Sequence, residues 1–262
     1  MIKLMKKVVK KTVESMGYEI RELEYPFEKA RPEATRIPEA IRGHADASFY
    51  DPLFSPWNGY GEFAYYLQLA QECTLVSADR CYILFSIAKQ AIHLGGEFWE
   101  CGVYKGGTAK LLAALLEKKS ATHAVLPLKL FDTFEGMPET DPDKDWHRLG
   151  DFSDTSLEAV RERIGTERMH VSYYKGFIPD TFAGNENSQI GFAHIDVDIY
   201  RSIIDCCEFI YPRMLPGGFM IFDDYGFPTC PGARQAVDEF FAGKKEEPLV
   251  LPTGQAIVTV IH

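Results

Sequence analysis

The chain predicts a doubly wound α/β sheet, mostly parallel, with an antiparallel far edge and a helical, irregular N-terminal cover. Two observations predict it. From residue 97 onward, strand-length apolar runs alternate with helix-length amphipathic segments, separated by Gly and Pro, as repeated strand–helix–strand units require. Paired aspartates close two of the apolar runs, Asp196 and Asp198 in His-Ile-Asp-Val-Asp-Ile-Tyr and Asp223 and Asp224 in Met-Ile-Phe-Asp-Asp-Tyr, where an open α/β sheet binds its ligands.

In chain order, residues 1–16 interleave Lys3, Lys6, Lys7, Lys10 and Lys11 with Ile2, Leu4, Met5, Val8, Val9 and Val13 at helical spacing. Such a helix is expected to pack its apolar stripe on the body of the protein or on the partner subunit of a homodimer, with contact to an anionic membrane as the alternative. Residues 18–62 are rich in Pro, Glu and aromatics without periodicity and read as an irregular cover. Helical spacing returns over 63–69 and 78–93, and Gly95-Gly96 ends the second helix. A strand at 97–101, a helix at 108–118, a strand at 128–132 and a helix at 155–163 follow, the last opened by Asp154 or Thr155. Strands are expected at 169–174 and 190–195. Residues 201–214 read as a helix that Leu215-Pro216-Gly217-Gly218 stops before a strand at 219–222, so the two aspartate pairs sit on neighbouring parallel strands. A helix at 232–241 and a hairpin from 248–251 and 255–261 complete the pattern. The expected division is a cover or lid with oligomer contacts at 1–70 and a single domain at 71–262.

With 262 residues and 46% hydrophobic content, the chain can bury one large core. Its 28 Lys and Arg against 38 Asp and Glu leave a net charge of -10, which argues against a nucleic-acid surface and for a small-molecule partner. Cys73, Cys81, Cys101, Cys206, Cys207 and Cys230 show no Cys-x-x-Cys spacing, and no signal peptide is expected before them. They are expected to be reduced, buried thiols of a cytoplasmic protein. No apolar run reaches the length that stable membrane insertion needs.

Aspartates gathered at the ends of apolar strands are desolvated and repel one another unless a cation or ligand offsets them. An oxygen-only set without paired His or Cys suits a hard ion, Mg²⁺ first, with Mn²⁺ or Ca²⁺ as substitutes. The alternative is that these carboxylates cap helices or line loops.

Glu100-Cys101-Gly102-Val103-Tyr104-Lys105-Gly106-Gly107-Thr108 joins the first strand to its helix, and its glycines let the backbone approach a ligand. Lys105 precedes the glycine pair, unlike a Walker loop, and there is no Gly-x-Gly-x-x-Gly. Glu100 would repel a pyrophosphate but attract a sulfonium, and Asp132 at the end of the next strand is placed for ribose hydroxyls. A positively charged nucleoside such as S-adenosylmethionine meets both conditions.

These segments, with Phe131-Asp132-Thr133-Phe134-Glu135-Gly136-Met137-Pro138, Tyr174-Lys175-Gly176-Phe177 and Pro179-Asp180-Thr181, resemble the macrocin O-methyltransferase family. Its members are metal- and S-adenosylmethionine-dependent sugar O-methyltransferases of antibiotic biosynthesis, including those of mycinose and noviose. The resemblance implies a Rossmann-like class I methyltransferase fold and a glycoside substrate. It implies further that Asp196, Asp223 and Asp224 hold Mg²⁺, that Glu100, Gly102, Tyr104, Gly106, Gly107, Thr108, Asp132 and Asp196 meet the cofactor with Ser153 near the adenine, and that Asp198 is the base. Related catechol-type enzymes resemble it in the metal aspartates but use a lysine where this chain has Ile199.

Competing readings are a metal-dependent O-methyltransferase of a phenol or other non-sugar hydroxyl, a nicotinamide-dependent dehydrogenase, and a non-catalytic binding protein. His194 reads as a packed strand histidine or as an orienter of a carboxylate. His147, in the charged stretch 141–148 that resembles a lid, reads as a solvated loop histidine. Tyr60, Tyr65 and Tyr66 suit either a substrate wall or core packing.

Overall fold

The structure, a computed structural model, describes residues 55–119 and 125–261. The basic helix expected at 1–16 and most of the cover expected at 18–62 lie outside the described residues. Among the described residues, seven strands form one sheet in the order β3-β2-β1-β4-β5-β7-β6. Strands β1 (Glu97–Cys101), β2 (Leu128–Asp132), β3 (Val171–Lys175), β4 (Ile190–Ile195) and β5 (Met214–Phe222) are parallel, and β7 (Ala256–Thr259) runs antiparallel to both β5 and β6 (Leu249–Val250).

Successive strand residues face opposite sides. Phe98, Leu130, Phe192 and Ile221 therefore enter one core, under helices α1 (Phe63–Gln71), α2 (Ala78–Ala91), α3 (Gly107–Lys119) and α4 (Leu157–Ile164). Trp99, Phe131, Ala193 and Phe222 enter the other, under α5 (Tyr200–Ile210) and α6 (Pro231–Phe241). Cover on both faces explains why β4 is buried at every position and carries no polar alternation. Trp99 anchors the second core: its ring lies 4.5 Å from that of Phe131, and its Nε1–H donates to Glu97 Oε2 at 2.8 Å.

Four boundaries depart from the sequence pattern for a clear local reason. Helix α5 ends at Ile210, because Pro212 cannot continue the hydrogen-bond ladder and instead enters a 3₁₀ turn at Tyr211–Arg213. The Leu215-Pro216-Gly217-Gly218 stretch is not a stop but part of β5, tied to the chain after β7 by Gly217 N–H to Val260 O (2.7 Å) and Val260 N–H to Gly218 O (2.9 Å). Strand β3 starts late because Val171 N–H turns back to Arg168 O at 3.0 Å, leaving Met169 exposed. Helix α4 is capped by Ser156, whose Oγ accepts from Ala159 N–H at 3.2 Å. Asp154 and Thr155 are engaged elsewhere: Asp154 accepts from Tyr104 Oη at 2.8 Å and Thr155 Oγ1 donates to Tyr104 O at 2.6 Å.

Register runs one residue past the strands. Gly102 N–H donates to Phe131 O (2.9 Å), Asp196 N–H to Cys101 O (2.8 Å) and Asp223 N–H to Ile195 O (3.0 Å). Asp132, Gly102, Asp196 and Asp223 thus form a row across the C-terminal edge, at the point where strand order reverses between β1 and β4. Gly102 has φ +85° and no room for a side chain, since a Cβ would lie 1.8 Å from Asp196 O. Gly102→Ala should therefore cost roughly 2–4 kcal/mol of stability in denaturant unfolding. Gly184→Ala, at φ +86° with open space around it, should cost only about 1 kcal/mol. Equal costs would show that the row yields easily to displacement.

Candidate active site

A cavity of about 280 Å³ opens at the C-terminal edge. Gly102, Tyr104, Gly107 and Thr108 line it from the loop after β1, Asp132 from the end of β2, and Asp196, Asp198 and Asp224 from beyond β4 and β5. The structure thus brings most of the expected site residues together. Glu100, Gly106, Ser153 and Asp223 lie off the cavity wall. Gly106 faces Val160 of α4, and Ser153 is exposed beside Gly136. Tyr60, Tyr65 and Tyr66 also lie off the wall, and Tyr66 is fully buried in the first core.

Asp132 staples the glycine loop to the sheet. Its Oδ2 accepts from Val103 N–H (2.6 Å) and Tyr104 N–H (2.9 Å), and its Oδ1 accepts from Phe134 N–H (2.6 Å). Its carboxylate also faces the cavity, so it shapes the loop and borders the ligand space at once.

Glu100 and His194 are register partners on β1 and β4, both without exposure. His194 Nδ1–H donates to Glu100 Oε1 at 2.9 Å, and His194 Nε2 lies 3.5 Å from Asp223 Oδ1. Glu100 is therefore turned toward the imidazole beneath the cavity. Asp223 Oδ1 accepts from Gln255 Nε2 at 2.7 Å, while its Oδ2 pairs with the Arg80 guanidinium, itself 4.7 Å from the Phe227 ring centroid. Asp224 Oδ2 accepts from Asp198 N–H at 2.9 Å.

Burial would depress the His194 imidazolium, but hydrogen bonds to Asp223 and Glu100 outweigh it and push its pKa up to about 10. Burial likewise opposes ionisation of Asp223, and here His194, Arg80 and Gln255 prevail and hold it below the usual carboxylate range. Asp196 and Asp224 go the other way: burial, then the charges of Asp223 on Asp196 and of Asp198 on Asp224, push both well above that range. Among the described residues the cluster is short of positive charge. One imidazole nitrogen of His194 and one carboxylate oxygen each from Asp196 and Asp223 lie within 4.8 Å of one another. Desolvated oxygens in need of a counter-charge fit a hard divalent cation. Asp224 stands beside that group rather than within it, held by the Asp198 amide.

Asp198 has φ +59° in a three-residue turn closed by Ile199 N–H to Val197 O at 2.6 Å. Its Oδ1 lies 3.3 Å from Cys230 Sγ and 3.5 Å from His147 Nε2. His147 is not a solvated loop histidine: it is buried, with Nδ1 3.3 Å from Asp151 Oδ2. Its loop folds inward because Thr140 Oγ1 donates to His147 O (2.8 Å) and Asp145 Oδ1 accepts from Tyr200 N–H (2.8 Å), tying the stretch to the start of α5. Arg80, Cys230 and Gln255 escaped sequence reasoning. A signal existed for Gln255, one polar residue opening the apolar run Ala256-Ile257-Val258, and for His147, beside Trp146 in an otherwise charged stretch. Arg80 carried none.

The strand order and the ligand-facing row at the switch point are those of a class I methyltransferase fold. Residues 72–251 match the family model described as Macrocin-O-methyltransferase (TylF), and the chain belongs to that family. It is similar to the 8-demethyl-8-(2,3-dimethoxy-α-L-rhamnosyl)-tetracenomycin-C 4′-O-methyltransferase of Streptomyces olivaceus, with 32% identity over 155 residues, covering 55% of this chain and 58% of that protein. The chain thus spans under three fifths of that relative's length. With the mycinamicin III 3″-O-methyltransferase of Micromonospora griseorubida it shares 28% identity over 181 residues, covering 64% of this chain and 69% of that one. Among solved structures, the O-methyltransferase NovP superposes with a TM-score of 0.64 at 24% identity, covering 72% of this chain and 82% of its own. The calicheamicin methyltransferase CalS11 gives 0.64 at 18% identity, covering 92% and 98%. These likenesses establish the fold. No helix among the described residues is long and apolar enough to cross a membrane.

The raised pKa of His194 means that the folded protein holds this proton more tightly than the unfolded chain, whose imidazole titrates near ~6.5. Its stabilising contribution is complete below about pH 6.5 and is lost as pH rises through about 10. Asp196 and Asp224, also raised, weaken the metal-free fold in the same sense from lower pH. Thermal melting in chelator should show stability falling from pH ~6.5 to ~10, and His194→Gln should flatten the fall. An unchanged slope in the variant would mean that the carboxylates do not hold the imidazolium.

Proposed function

We propose that the protein moves a methyl group from S-adenosylmethionine to a sugar hydroxyl of a glycosylated natural product, with Mg²⁺ as its metal. The observation that carries this reading is one shared cavity: the glycine loop and Asp132, suited to a nucleoside, open into the same space as Asp196, Asp198 and Asp224. Family membership supports methyl transfer, and the names of the two relatives support a sugar-bearing acceptor. Leu75 and Phe177, 65% and 57% exposed beside the cavity, offer an apolar rim to the scaffold that carries the sugar. The six cysteines, all free and buried, suit a reducing cytoplasm.

Asp196 and Asp223, with Asp224 beside them, would hold Mg²⁺, and Asp132 with the loop amides would border the nucleoside. When bound, S-adenosylmethionine supplies the methyl group and Mg²⁺ lowers the pKa of a coordinated hydroxyl by several units. Asp198 takes the hydroxyl proton. A sugar hydroxyl near pKa ~16 and a carboxylate near ~4 make that transfer uphill by about 16 kcal/mol unaided, so base and metal must act together. Burial pushes the Asp198 carboxyl up, with His147 opposing, which makes it a stronger base than an exposed aspartate and narrows the gap. Gln255 and Arg80 orient Asp223, and Asp224 orients the Asp198 backbone.

Metal ligand and base are separable by substitution. Asp196→Asn should raise the Mg²⁺ concentration needed for turnover steeply, whereas Asp198→Asn should keep metal and cofactor binding and lose turnover by roughly 10²-fold or more. Titrating Mg²⁺ against both, with calorimetry for binding and labelled methyl donor for turnover, checks this. Near-full turnover in Asp198→Asn, or loss of its metal binding, would remove Asp198 as the base.

A further inference from the structure

We infer that His147 Nε2, Asp198 Oδ1 and Cys230 Sγ form a second metal site beside the carboxylate row, one that takes a borderline ion of the Zn²⁺ class. The donors are separated by 3.3 Å (Sγ to Oδ1), 3.5 Å (Nε2 to Oδ1) and 3.7 Å (Sγ to Nε2). A tetrahedral ion with bonds of about 2.0 Å to nitrogen and oxygen and about 2.3 Å to sulfur needs separations of about 3.3–3.6 Å. The trio meets that within a few tenths of an ångström. All three residues line the cavity, so the fourth tetrahedral position has open space to face, as in zinc sites with three protein ligands.

The orientation of the imidazole supports this independently. Nδ1 lies 3.3 Å from Asp151 Oδ2, the placement in which a second carboxylate holds the far nitrogen of a zinc-binding histidine and leaves Nε2 to bind the ion. The Cys230 thiol donates to Asp198 Oδ1 at 3.3 Å, and a bound ion would take the place of that proton between sulfur and oxygen. Donor chemistry separates the two sites: the oxygens of Asp196 and Asp223 suit a hard ion, and the nitrogen–oxygen–sulfur trio a softer one. As the metal–sulfur bond forms, the Cys230 thiol proton passes to solvent. The ion takes Oδ1 of Asp198, so occupancy withdraws the carboxylate that serves as base and inhibits turnover. This inhibitory step rests on the function proposed above; the binding does not.

Co²⁺ titration of the full chain in excess Mg²⁺ tests the site, because tetrahedral thiolate coordination gives cobalt a sulfur-to-metal charge-transfer band and strong visible absorption. Both should appear in the wild type and be bleached by Zn²⁺. Cys230→Ser should lose the charge-transfer band, and Asp151→Asn should weaken Zn²⁺ binding by about 10- to 100-fold. The absence of the band in the wild type, or its survival in Cys230→Ser, overturns the site, since Cys73 also lines the cavity and would be the other source of sulfur. Should Cys230→Ser fail to fold, His147→Ala decides: unchanged Zn²⁺ affinity in that variant overturns the site as well. The spectra need no methyl transfer, so they stand apart from the proposed activity, and only the Zn²⁺ inhibition of turnover depends on it.

Discussion

Negative charge with too little counter-charge governs the open end of this sheet. Glu100, Asp196, Asp198, Asp223 and Asp224 gather there, and among the described residues His194 and Arg80 answer Glu100, Asp196 and Asp223 while His147 faces Asp198. An uncompensated buried carboxylate is costly by several kcal/mol, so the fold settles what it can internally. His194 bridges Glu100 and Asp223, and Arg80 and Gln255 occupy the rest of Asp223. Asp196 and Asp224 are left leaning toward their protonated forms. A bound cation would return them to carboxylates, so affinity for such an ion and fold stability would draw on the same residues.

Strand register is what turns scattered sequence motifs into this cluster. Cys101, Ile195 and Phe222 are aligned across β1, β4 and β5, so the residue after each lands in one row. Sequence pattern shows that each aspartate ends an apolar run, and adjacency follows from short right-handed crossovers. The central strands were legible to the residue because they are apolar on both faces and bounded by clear breaks. Boundaries set by one local hydrogen bond were not. Nothing in Arg168 to Val171 announces the turn that delays β3, and Ser156 caps α4 only because Tyr104 and Lys105, some fifty residues earlier, already engage Asp154 and Thr155.

The site was legible to the same depth. Residues within motifs, Gly102, Asp132, Asp196, Asp198 and Asp224, converge on the cavity because strand ends converge there. Partners that arrive through tertiary packing carry no comparable mark: Arg80 comes from the first turn of α2, Gln255 from the last hairpin and Cys230 from the turn before α6. His147 shows the limit most plainly. Its charged neighbours describe a solvated stretch, yet Asp145 fastened to the Tyr200 amide brings the loop down onto Asp198.

The backbone at Asp198 explains how one short segment presents its two aspartates to different surroundings. In a continuing strand, residues two apart share a face, and Asp196 and Asp198 would crowd the same charge cluster. The left-handed turn at Asp198, closed between Ile199 and Val197, breaks that period. A non-glycine residue there is held against a cost of order 1–2 kcal/mol, and the Asp224 carboxylate that accepts its N–H is one of the contacts that hold it. Asp196 stays with the oxygen-rich row, while Asp198 swings to His147 and Cys230. Its carboxylate thereby leaves the crowd of like charges and keeps a distinct environment on the cavity wall, which the base role proposed for it would need and which a straight strand would have denied it.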